Sequence, residues 1–122
     1  MAEKFHDILK RKADRYAYQV YAVTQNFPRD EIYGITSQLR RSALSVVLNY
    51  IEGYARIGEV QYRNFLRMSF GSLKESQYLV EFSLREKYLS ENEYEELINL
   101  ASELGAMLWS IIDSIDQKHG KK

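Results

Sequence analysis

Six polar side chains, Gln38, Arg41, Ser45, Asn49, Glu52 and Arg56, recur at steps of three and four, the spacing that stacks residues along one face of a helix. Together they offer two guanidinium groups, two amides, a hydroxyl and a carboxylate. Such a stripe can bind a polar ligand or pair with a second subunit. It contains no imidazole or thiol, so it presents hydrogen bonds and charge rather than a nucleophile beside its base.

The rest of the chain adds little catalytic material. Its two histidines, His6 and His119, lie near the ends, and neither can serve as a general base for the middle of the chain. There is no cysteine, and the two inward-facing Glu-x-x-His motifs that build a di-iron site inside a helical bundle are not found, Glu3-x-x-His6 standing alone at the start of the chain. The glycines are scattered and form no phosphate-binding loop. The expectation is therefore a protein with no catalytic residues, no cofactor and no metal. Glu52 and Glu75 lie near arginines and read as salt-bridge partners between helices or subunits. Ten tyrosines are present. Tyr16, Tyr62 and Tyr94 fall on apolar seams, where each hydroxyl must reach a partner. Tyr18, Tyr33, Tyr54 and Tyr78 fall outside. Exposed tyrosines among Arg40, Arg41, Arg56, Arg63 and Arg67 are compatible with stacking on unpaired bases.

The helix that carries the stripe is apolar on two sides. Ile32, Ile35, Leu39, Ala43, Val46, Tyr50 and Gly53 share one side at 100° per residue, while Leu44, Val47, Leu48, Ile51 and Ala55 lie well round from it. A helix with two apolar sides needs two partners. Phe65, Met68, Leu79 and Phe82 give the next helix a second apolar set as well. Leu44, Val47, Leu48, Ile51, Phe65 and Met68 are accordingly expected to form an interface between copies of the chain.

Four helices account for the whole sequence, at approximately 5–26, 28–56, 59–87 and 91–118. Phe27-Pro28 closes the first and opens the second, because proline disfavours helical geometry before it but fits a first turn. The second helix is then about 40 Å long at about 1.5 Å per residue, and Gly58 is the expected left-handed residue after it. Gly71 within the third helix implies close helix packing. Ser90 to Glu93 spells a capping box that starts the fourth, which His119-Gly120 ends. Short connections make consecutive helices antiparallel neighbours. The expected fold is all-α, an up-down-up-down four-helix bundle in one domain spanning residues 1–122.

At 122 residues the chain suits one core. No window approaches a membrane span, no signal peptide is evident, and the absence of cysteine fits a reducing compartment, so the expected location is cytoplasmic. Formal net charge is zero, which argues against uniform coating of nucleic acid or anionic lipid. The distribution is less even: residues 1–67 hold 11 Lys+Arg against 7 Asp+Glu, and residues 68–122 hold 6 against 10. That asymmetry either pairs a basic helix with an acidic neighbour or leaves a weakly basic surface that assembly concentrates.

Several blocks together carry a family resemblance. Tyr21-x-x-Thr24-x-x-Phe27-Pro28-x-x-Glu31-x-Tyr33-Gly34, Gln38-Leu39-Arg40-Arg41-Ser42, Asn49-x-x-Glu52-Gly53-x-x-Arg56, Tyr62-x-x-Phe65-Leu66 and Gly71-Ser72-Leu73-x-Glu75 closely resemble the bacterial four helix bundle proteins first met in intervening sequences of 23S ribosomal RNA genes. The resemblance covers essentially the whole chain. Two departures are visible. The segment Val47 to Gly53 lacks the proline common in that family, and Ser69 replaces its usual alanine. The resemblance implies a subunit of a homopentamer with no established catalysis. The family is similar in fold to the accessory protein of diversity-generating retroelements, a markedly basic pentameric barrel that binds nucleic acid.

The sequence thus supports a cytoplasmic, non-enzymatic homo-oligomer serving as a scaffold or accessory module, with RNA or DNA as ligand. The alternative is a pure protein-interaction module, in which the polar stripe pairs across subunits and sets their register.

Overall fold

A computed structural model describes residues 4–120, so the ends of the expected 1–122 domain lie outside the described residues. It contains four α-helices and, among those residues, no strand: α1 (Phe5–Thr24), α2 (Ile35–Tyr54), α3 (Glu59–Arg85) and α4 (Glu91–Lys118). Among the described residues no helix is long and apolar enough to cross a membrane. Each helix packs against two others, α1 and α3 both touching α2 and α4. Their shared interior holds Leu9, Tyr16, Leu39, Leu66, Leu73 and Leu104, all fully buried.

The second helix is shorter than its periodicity suggests. Pro28 precedes a single 3-10 turn, Arg29–Glu31, and α2 begins only at Ile35. Its 20 residues span about 30 Å. The break is built by Glu31, whose Oε1 accepts from the Ile35 N–H at 3.2 Å and so acts as the missing N-cap side chain. Gly34 makes room for it: a Cβ there would stand 2.5 Å from that same oxygen. Glu31 Oε2 accepts from the Tyr88 hydroxyl at 2.9 Å, tying the break to the connection between α3 and α4. Ile32 is thereby lifted off the core side to 49% exposure.

Other helix ends follow local chemistry. Gly58 caps α3 in an extended conformation at φ −92°, not a left-handed one. The left-handed residue is Lys87 at φ 65°. There the Tyr88 N–H bonds to Ser83 O and the Lys87 N–H to Leu84 O, the paired bonds of a Schellman motif. The capping box at Ser90 forms as the sequence indicates, and Gly120 is left-handed after α4.

Between α2 and α3 the contact is close and partly polar. Ser69 donates to the Val46 carbonyl at 2.7 Å, satisfying its buried hydroxyl across the helix pair. The glycine that permits close approach is Gly53, not Gly71. Gly71 is exposed, and a Cβ on it would meet nothing within 4 Å.

Candidate functional site

Helix α2 positions the polar stripe along its edge with α3, and the stripe divides into parts with different partners. In the middle, Asn49 Nδ2 donates to both the carbonyl and the hydroxyl of Ser45 at 2.9 Å. Ser45 Oγ in turn lies 2.7 Å from Ser72 Oγ of α3. These groups are satisfied within the subunit. At the C-terminal end Arg56 pairs with Glu52 one turn earlier, and its guanidinium sits 5.0 Å above the Phe65 ring. At the N-terminal end Gln38 and Arg41 are exposed, and Arg41 Nη2 reaches only Ser37 Oγ, at 3.4 Å.

The five arginines set among tyrosines are not equivalent. Arg63 and Arg67 both turn to Asp116 of α4, at 3.0 and 2.6 Å. Asp116 was not singled out by the stripe or the arginine pattern, although its side chain is only 5% exposed. A signal existed: it continues the spacing of Leu108 and Ile112 on the α4 seam, where an acid demands a partner. Burial pushes its carboxyl up, but hydrogen bonds from Arg67 and Arg63 outweigh that and hold it below the ordinary carboxylate range. Arg40 is anchored differently. Its Nε donates to Thr24 Oγ1 at 2.8 Å, and its guanidinium lies 4.8 Å over the Tyr21 ring.

Of the residues expected between subunits, Leu44, Leu48, Ile51 and Met68 are 38, 60, 42 and 48% exposed. Phe65 is half-buried beneath Arg56. Val47 departs from the expectation: at 6% exposure it belongs to the subunit's own core, because it faces α1 across from Ala17. Tyr18, Tyr33, Tyr54 and Tyr78 are exposed as their spacing indicates, and Tyr16 is fully buried.

His6 joins an aromatic cluster at one end of the bundle. Its Nδ1 is 2.6 Å from the Tyr50 hydroxyl and its ring stacks on Tyr54 at 3.5 Å between centroids. Tyr50 is almost fully buried, and desolvation drives its phenol far above the ordinary value. Burial and hydrogen bonding together read as a structural clasp. Among the described residues no group of three or more His, Asp or Glu side chains can hold a metal ion.

Comparison with known proteins bears on this arrangement. The model of the 23S rRNA-intervening sequence protein family matches residues 7–110. A crystal structure of a protein of unknown function from the S23 ribosomal protein family, from Bacteroides thetaiotaomicron, superposes with a TM-score of 0.83 at 22% identity, covering 90% of this chain and 99% of that one. That likeness establishes the shared fold. No curated protein matches the chain.

Proposed function

Because the chain belongs to the 23S rRNA-intervening sequence protein family, we propose that it is a non-enzymatic subunit of a homo-oligomer that acts as a scaffold or accessory module with RNA or DNA as ligand. The subunit is an antiparallel up-down-up-down bundle, a reading supported by its short connections. The observation that carries the proposal is the exposure of Leu44, Leu48 and Ile51 along α2 together with Met68 on α3. A run of large apolar side chains on neighbouring helices costs solubility unless another surface covers it. The number of subunits, five, comes from the resemblance alone, as does the cytoplasmic setting from composition.

Mass by light scattering at micromolar concentration tests assembly. The expected result is an oligomer that Leu48→Glu converts to a folded monomer; a monomeric wild type removes the proposal. Gel shifts with structured ribosomal RNA and with single strands, run across salt, test the ligand. No shift at low salt removes nucleic acid from the reading.

One observation favours the second reading, an interaction module without a nucleic-acid ligand. Arg56, Arg63 and Arg67 each pair with a carboxylate of the same subunit, which lowers the charge they can offer to phosphates. Arg41→Ala separates the two. Loss of the oligomer without any measurable nucleic-acid binding supports the interaction module, while an intact oligomer that binds nucleic acid less well supports the leading reading.

A further inference from the structure

Among the five arginines set among tyrosines, Arg40 and Arg41 differ from Arg56, Arg63 and Arg67 in having no carboxylate partner: neither forms an ion pair among the described residues. Both line a pocket of about 420 Å³ where the start of α2 meets α1, together with Tyr21, Tyr33, Thr36 and Ser37. Thr36 is 2% exposed, yet its Oγ1 has no hydrogen-bond partner. A buried hydroxyl in a helix ordinarily bonds back to a carbonyl one turn earlier.

The surrounding charges agree with an anion. The positive end of α2 is already capped by the Glu31 carboxylate, which accepts from the Ile35 N–H, so the positive charge of the pocket rests on Arg40 and Arg41. Arg40 is held in place by Thr24 and Tyr21, so little side-chain freedom remains to be lost on binding. Through Tyr21 and Leu44 the pocket continues into a largely apolar furrow between α1 and α2, lined by Asp14, Ala17, Tyr18 and Val47, with Asp14 paired to Lys10. Tyr33 and Tyr18 are 94 and 79% exposed beside these two hollows. The site therefore combines fixed positive charge with flat, accessible rings.

We propose that this mouth between α1 and α2 binds single-stranded nucleic acid, with Arg40 and Arg41 on a phosphate, the Ser37 hydroxyl beside it, and unpaired bases stacked on Tyr33 and Tyr18. Unpaired bases are required because a duplex hides the faces that tyrosine rings would meet. The inference rests on the nucleic-acid reading above and names its site.

Fluorescence anisotropy of a labelled single strand with the full chain tests it. Tyr33→Ala, at an exposed position, is expected to weaken binding about fivefold or more. Arg41→Gln is expected to flatten the slope of log affinity against log salt by about 0.7, the loss of one phosphate contact. Arg85→Gln, the same charge change on α3, should leave binding near wild type. The proposal is overturned if Tyr33→Ala and Arg41→Gln bind like Arg85→Gln, if a duplex of the same sequence binds as tightly, or if a poly-glutamate peptide displaces the strand at equal charge. Binding by the wild type with unaffected variants removes this site but keeps the nucleic-acid reading. Absence of any binding at low salt removes both, and leaves assembly to be judged by mass.

Discussion

Gly53 of α2 lies so close to Phe65 of α3 that a Cβ on the glycine would stand 2.7 Å from the Phe65 Cβ and 3.3 Å from the Tyr62 carbonyl oxygen. Neither neighbour can swing away, since one is the root of its side chain and the other is backbone. The two helices touch at the distance that hydrogen, not methyl, allows.

Two glycines within helices should therefore respond to alanine with opposite signs. Gly53→Ala gains the helix propensity of alanine but forces α2 and α3 apart, and is expected to destabilise the subunit by about 1–3 kcal/mol. Gly71→Ala gains the same propensity in open space and is expected to stabilise by about 0.5–1 kcal/mol. Urea unfolding midpoints for both variants decide this. A loss at Gly71 would mean that its surroundings are filled by another subunit.

Lys87 is the second place where local conformation makes a prediction. Its φ of 65° puts a Cβ-bearing residue in left-handed geometry, which costs about 1–2 kcal/mol relative to a relaxed backbone. The Schellman bonds at Lys87 and Tyr88 hold it there. Lys87→Gly should stabilise by about 0.5–1 kcal/mol, the gain being reduced by glycine's greater freedom in the unfolded chain. Lys87→Ala retains the Cβ and should give no such gain, which separates conformation from charge in a thermal melt.

What could be read in advance follows the same division between periodic and local information. Leu39, Ala43, Val46 and Tyr50 recur on one side of α2 and are buried together, so periodicity found the helix and its inner face. Periodicity missed the break at Gly34, because Ile32 and Ile35 keep helical spacing across it. Lys87 carries no sign of its left-handed turn after α3, and Gly58, the expected left-handed residue after α2, is extended instead. Within the candidate site, α2 positions were legible but their partners were not. Whether Ser45 meets Ser72, or Arg63 meets Asp116, depends on the rotation of one helix against another, which no single helix encodes. The unpartnered hydroxyl of Thr36 is likewise visible only after folding.

Asp116 predicts the acid limb of stability. Its carboxyl is held below the ordinary range in the folded chain, so its contribution is present above the unfolded value, about 3.9, and is lost as pH falls through the folded value. Asp116→Asn should lower the melting temperature at neutral pH by leaving Arg63 and Arg67 without their counter-charge. It should also make the melting temperature less dependent on pH below about 4 than in the wild type. Circular dichroism melts across that range test both parts. An Asn variant as acid-sensitive as the wild type would place the responsible carboxylate elsewhere.

Tyr16 predicts the alkaline limb. Ser76 Oγ donates to the Leu73 carbonyl at 2.8 Å, so in the 2.7 Å contact between Tyr16 and Ser76 the phenol is the donor. Burial pushes the Tyr16 phenol up to about 12. In the unfolded chain a tyrosine titrates near 10, by about two units the more acidic state. The stabilising contribution is therefore full below about pH 10 and declines as pH rises toward the folded value. Tyr16→Phe should cost about 1 kcal/mol at neutral pH through the lost hydrogen bond, while Ser76 keeps its carbonyl acceptor. Above pH 10 the same variant should lose stability less steeply than the wild type, so the two curves converge. Urea midpoints measured from neutral pH to about 11 would show that convergence, and parallel curves would rule Tyr16 out as the group that titrates.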